Sequence, residues 1–403
     1  MAVEILQQPT TPNVTDTNLV YTLSSSNASN AQFRYVTDIY VSGSGDYITT
    51  IKTYPNLSGN GILDIARELD DQLDYDLYWK ITGSIAPVES VKTFDIRFGE
   101  EYAPSYSGSI TQYTGSTSNY LKVFPGTVYK NEGSYNFNTS SVVEAQNILS
   151  NAPETLNEPN WPRTGSKENW LWVNDTDYHT ITILNPEQSP VCGIIDNNNN
   201  VLGTYYFPIS ASSFTTFGIG PQNLIDAGVS SSIIENAARL LFVDLNDPPN
   251  TSYYNIFLPR QDGHPCSTEY TRFAFINQYG FWDYYNVYNP LRSENEVDRS
   301  LYNRTFVRYE DSIGSYDISN RGTTQYRTEY NKRYIITTDL IDKQTSQWLT
   351  ELFKSPEVFI QQNGNFVPIN ITNTNIRWNM NTAREKLFQY DIEFKYANQP
   401  QPR

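Results

Sequence analysis

The sequence is poor in the residues that carry most enzyme chemistry. Its 403 residues hold two cysteines, Cys192 and Cys266, and two histidines, His179 and His264. Two cysteines exclude a disulfide framework, and buried free thiols are expected rather than a bridge. No Cys-x-x-Cys or His-x-x-His spacing is present, and His264, in Gly263-His-Pro-Cys266, lacks the further ligands that zinc requires. His179 lies in an alternating apolar run and is expected to be a half-buried structural residue rather than a base. Gly-x-Ser-x-Gly, P-loop and Gly-x-Gly-x-x-Gly patterns are missing, which disfavours nucleophile-elbow and phosphate-loop enzymes. No apolar run approaches the roughly 20 residues of a membrane-spanning helix. The first residues lack a basic segment followed by an apolar one, so no signal peptide is expected, and the chain is expected to be soluble. Positive charge is also scarce: 28 Lys and Arg face 44 Asp and Glu, a net charge of −16. With no basic cluster, direct nucleic-acid binding is not expected.

Aromatic residues are abundant. They make up 14% of the chain, 31 of them tyrosine, which argues against disorder and for strands or interfaces. The predicted fold is mainly β. Residues 1–103 read as an N-terminal β-sandwich with one helix. Phe33, Tyr35, Thr37, Ile39 and Val41 alternate on one strand face, and Ser42-Gly-Ser-Gly45 turns into Tyr47–Lys52. The spacing of Ile62, Ile65, Ala66, Leu69 and Leu73 predicts the helix, with Asn60 or Asp64 as its cap. Residues 104–118, rich in Ser, Gly and Thr, read as a linker. Residues 119–265 read as a second β-sandwich or barrel, with a short helix over 230–239. Residues 266–403 read as an α+β module, an antiparallel sheet plus one helix. In this module Thr345, Trp348, Leu349, Leu352 and Phe353 share a helical face, with Asp342 as N-cap and Ser355-Pro356 as the stop. Asn363-Gly364 marks a hairpin. One or two long hairpins are expected between Arg299 and Tyr334, and a final strand pair at 376–378 and 387–396.

The densest apolar stretch is Arg272–Asn289, a predicted hairpin turning at Asn277-Gln278-Tyr279-Gly280. Its Tyr279, Phe281, Trp282, Tyr284, Tyr285 and Tyr288, together with Trp348, are the candidate interface or core aromatics, with Trp282 and Tyr285 the candidates to reach a neighbouring subunit. The carboxylate pairs Asp70/Asp71, Asp175/Asp177, Glu294/Glu296 and Glu310/Asp311 are the only sequence hint of a glycosidase, and acidic surface residues are the simpler account of them. Asp196–Asn200 begins like a calcium loop. Val201 stands where the loop needs Gly and Phe207 where it needs Glu, so a hairpin turn is expected. No catalytic residue, cofactor or metal ligand set is expected.

Several blocks carry a family resemblance: Gln32–Val41 with Gly59–Arg67, the run Arg272-Phe-Ala-Phe-Ile-Asn-Gln-Tyr-Gly-Phe-Trp-Asp283, the helix within Thr338–Pro356, and Glu357–Ile360 with Phe388–Phe394. Together they resemble uncharacterised structural proteins of marine tailed bacteriophages, and residues 172–184 match more loosely. The resemblance implies a virion component of the tail, baseplate or neck. Its implied partners are other virion proteins and copies of itself, and its implied place is the virion, assembled in the host cytoplasm. The C-terminal module would be the assembly platform, and the N-terminal sandwich would decorate or connect. The resemblance brings no catalytic residues. The alternatives are a tail component that recognises a host surface glycan and, less favoured, a polysaccharide depolymerase.

Overall fold

The computed structural model describes the chain except residues 1–2, 76, 127–149, 151–170, 185–189, 209–213, 245–251, 259–269, 305–307, 311–312, 316–317, 320–321, 342, 374–387 and 399–403. Cys266, His264, the proposed cap Asp342 and the expected strand 376–378 lie outside the described residues. The protein is mainly β, with four helices among the described residues.

The N-terminal region is a sandwich of two sheets. Strands Glu4–Gln7, Val20–Ser24 and Gly61–Asp64 form the smaller sheet. Asn13–Val14, Thr111–Phe124, Lys92–Ala103, Ala31–Val41 and Tyr47–Thr53 form the larger, in that order. Alternating side chains of both sheets meet in one core. Tyr21 and Leu23 come from one sheet; Phe33, Tyr35, Ile39, Phe94, Ile96, Phe98, Leu121 and Val123 come from the other. Two expectations are corrected here. The helix predicted from Ile62 is a strand followed by a single-turn helix, Ala66–Asp70. Ile62 points to solvent while Leu63 is buried, as period two requires. Asp64 Oδ1 takes the Leu19 and Ala66 amides, so it ties the junction together rather than capping a long helix. The expected linker also holds the first residues of the strand Thr111–Phe124, which pairs with Lys92–Ala103 across most of its length. Ser105, Ser107, Ser109, Thr111 and Ser118 of this stretch are exposed, where no core demands apolar side chains.

The middle region is again two sheets. Leu171–Trp172, Ser252–Phe257, Arg239–Asp244, Val191–Ile195 and Val201–Tyr206 form one; Thr180–Leu184, Phe214–Gly218 and Ser84–Ile85 form the other. Phe207, Phe217 and Phe242 join them, with ring centroids 5.5–5.7 Å apart. The edge strand Ser84–Ile85 comes from the N-terminal hundred residues. Residues 1–264 accordingly belong to one compact unit. Two short helices, Pro221–Asp226 and Ser231–Glu235, precede Arg239–Asp244. The second is shorter than the expected 230–239, and the first has no counterpart in the sequence reading.

The second unit comprises residues 265–274, 286–346 and 357–403; residues 275–285 and 347–356 belong to the first. The unit boundary therefore runs through both the aromatic hairpin and the helix Lys343–Lys354. The seven-stranded sheet has the order Trp282–Val287, Thr271–Ile276, Val358–Gln362, Asn365–Ile371, Asp391–Tyr396, Thr323–Thr337, Arg292–Asn303. Ile336, Ile369, Ile392 and Phe394 are buried on its inner face, and Phe273 packs edge-on against Phe394 at 5.9 Å.

Candidate functional site

The aromatic hairpin forms as its sequence specifies. Asn277 closes the turn: its side-chain oxygen accepts from the Tyr279 and Phe281 amides, and its own amide donates to the Phe281 carbonyl. Gly280 has φ +76°, which only glycine adopts at little cost. The seven singled-out aromatics do not form a surface. Tyr279 is half-buried, and Phe281, Trp282, Tyr284, Tyr285, Tyr288 and Trp348 are buried. Phe281 packs with Val14, Phe124, Leu184 and Phe214, not in the C-terminal module where sequence placed it. Tyr284 bonds the Thr180 hydroxyl at 2.9 Å and lies against His179. Tyr285 meets Trp348 edge-on at 5.8 Å, and Tyr288 packs on Tyr270. Trp282 and Tyr285, expected at a subunit contact, are thus buried within the chain. Period two alone could not show this, because the neighbouring layers cover both faces of the hairpin.

The sequence-derived chemistry disperses. His179 is fully buried, its Nε2 3.1 Å from the Tyr254 hydroxyl. Asp177 takes the Asn174 amide in a turn, and Asp70 takes the Thr15 hydroxyl. Asp196 is enclosed by its own loop. Its carboxylate accepts from the Asn198 and Asn200 amides and the Asn200 side chain, and these bonds hold it below the usual carboxylate range. Asn199 at φ +64° completes that turn. No group of three or more His, Cys, Asp or Glu that could hold a metal occurs among the described residues. No helix among them is long and apolar enough to cross a membrane. Burial pushes the Cys192 thiol up to about 12 from 9.0. At pH 8 its thiolate fraction should then fall about a thousandfold, one decade per unit. In a Cys266→Ser background, native protein is expected to resist Ellman's reagent until denaturant is added; prompt native labelling would contradict the burial.

One carboxylate pair that spacing did not reveal is brought together. Asp283, on the hairpin, is buried and takes the Trp348 Nε1–H at 2.7 Å. Its carboxyl rises from 3.8 to about 7, first from burial and then from the Glu351 charge. Glu351 takes the Gln278 amide at 2.9 Å and lines a cavity of about 100 Å³ with Asp16, Asn277 and Lys354. The pair fastens the hairpin turn to the helix, and Asp283 does not line the cavity.

The open surface lies elsewhere. Strand Arg292–Asn303 pairs along its full length with Thr323–Thr337, from Asn303 opposite Thr323 to Arg292 opposite Ile335, but Asp391–Tyr396 reaches only Tyr334–Thr337. Residues Thr323–Arg333 therefore run on as a two-stranded ribbon, about 35 Å long at roughly 3.3 Å per residue. Leu301, Tyr302, Tyr326 and Tyr330 on it are 45–66% exposed. At the ribbon's base no described residue covers the inner sheet face. Val358, Ile360 and Gln362 point one way along their strand, as do Val367 and Ile369, Phe394 and Tyr396, and Tyr330, Lys332 and Tyr334. Where Ile369 and Phe394 end their cover, a groove of about 380 Å³ opens between Tyr330, Lys332, Tyr334, Gln362, Val367 and Tyr396. The Lys332 ammonium stands 4.8 Å from the Tyr334 ring centre, and the Tyr334 and Tyr396 rings meet at 77°.

The chain matches no protein-family model, and no curated protein is significantly similar to it.

Proposed function

We propose that the chain is a structural component of a bacteriophage virion, in the tail, baseplate or neck, acting through assembly with other virion proteins and with copies of itself. It is a building block and not an enzyme, with the virion as its place of work. The observation that carries the reading is the ribbon. An isolated two-stranded hairpin is marginal in water, and this one exposes Leu and Tyr along its length. Aromatic side chains of this kind are enriched at protein interfaces, and burying them against a partner would stabilise both surfaces. The resemblance of the Gln32–Val41 and Arg272–Asp283 blocks to phage structural proteins agrees with this.

A paired substitution tests it. Leu301→Asp with Tyr326→Asp touches only the ribbon, so the unfolding free energy should stay within about 1 kcal/mol of wild type. Incorporation into purified particles, read by mass spectrometry, should fall at least tenfold. Normal incorporation of the folded double variant would remove the ribbon from the assembly surface.

A further inference from the structure

We infer that the groove at the uncovered end of the C-terminal sheet binds a short acidic saccharide through Tyr334, Tyr396 and Lys332. The inference is independent of the virion reading. Four features of the groove select this ligand class. Its volume, about 380 Å³, falls in the roughly 300–1,000 Å³ range of small-ligand sites. Its floor is apolar: Val367 and the rings of Tyr334 and Tyr396 continue the aromatic face that Phe394 begins beneath the core. A sugar ring offers a matching C–H face. Its rim is polar: Asn398 offers an amide, Gln362 its amide oxygen beside the bond its nitrogen makes to Tyr396, and Tyr330 a hydroxyl that donates to Asn295 and can accept from a ligand hydroxyl. Among the described lining residues the cation is Lys332, whose ammonium stands 4.8 Å from the Tyr334 ring centre. In a chain of net charge −16, that cation gives an acidic ligand a local complement which a neutral sugar would not use.

Calorimetry on the whole chain tests the inference, with tri-galacturonate and 3′-sialyllactose as acidic probes and lactose as the neutral one. The acidic probes are expected to bind at least tenfold tighter than lactose. Tyr396→Ala should weaken them at least tenfold, and Lys332→Gln should erase the preference over lactose. Because Tyr396 is half-buried, Tyr330→Ala, which removes an exposed ring, serves as a second variant and should also weaken binding. Absence of binding by wild type would overturn the inference. So would unchanged affinity in the folded variants, or loss of self-association as the only effect of Tyr396→Ala, which would assign the groove to a second copy.

Discussion

Gly280→Val is expected to unfold the region around the hairpin turn, at a cost on the order of 4 kcal/mol or more. Two effects add. At φ +76° a β-branched residue is strained by about 1–3 kcal/mol. A side chain there also has no room: a Cβ on Gly280 would stand 1.6 Å from the Pro125 carbonyl oxygen. That atom is backbone, so relief requires moving the strand Thr111–Phe124 and the turn apart. The crossing is tight from the other side too, because a Cβ on Gly126 would meet the Gln278 carbonyl at 2.8 Å. Phe281 would then be drawn from its packing on Phe124 and Phe214, at 5.8 and 6.0 Å. Gly364 separates the two effects. It has nearly the same φ, +75°, but a Cβ there meets nothing within 4 Å. Gly364→Ala should therefore cost only about 1–2 kcal/mol, the left-handed penalty alone. Urea denaturation followed by tryptophan fluorescence measures both. Equal, small losses at the two glycines would show that the close crossing does not exist.

The second large effect is on pH. Asp283 titrates near 7 in the folded chain and near 3.8 when unfolded. Between those values the folded chain holds a proton that the unfolded chain has released. The stability tied to this carboxyl is therefore fully present below about pH 4. It declines as pH rises through the window and is gone above about 7. Roughly three units at 1.36 kcal/mol each give a span on the order of 4 kcal/mol. Burial is the main cause and Glu351 the next; the bonds from Trp348, Ser150 and Asn277 oppose them. Asp283→Asn keeps the shape and an acceptor for Trp348 Nε1–H but does not titrate. Wild type should lose urea resistance between pH 5 and pH 8, and the variant should lose much less. The same slope in both proteins would place the titration elsewhere.

The extent to which these features were legible in the sequence follows from how local their causes are. The strand Phe33–Val41, the Asn363-Gly364 turn and the helix carrying Trp348 and Leu352 each depend on spacing within a few residues, and each was readable. Gly280 was readable as a turn glycine, but its crossing with Pro125 was not, because that contact joins distant parts of the chain. The run from Ile62 to Leu73 misled because a four-residue strand and a one-turn helix together imitate a helical period. The 104–118 stretch misled because an exposed ribbon needs no apolar pattern. The hairpin aromatics left interface and core both open, and covering layers bury them. The groove depends on the register of four strands, and the Asp283–Glu351 pair on a turn meeting a helix. Neither leaves a trace in spacing. A cut after residue 103 would sever the pairing of Lys92–Ala103 with Thr111–Phe124.

The central claim is that the exposed ribbon is an assembly surface in a virion. A photo-crosslinking amino acid at Tyr326 in particles tests it most directly. The expected result is a covalent adduct with a second copy of the chain or with another virion protein, formed in particles and lost on disassembly before irradiation. Purified particles that lack the chain, or particles that contain it with residue 326 uncrosslinked, would contradict the claim.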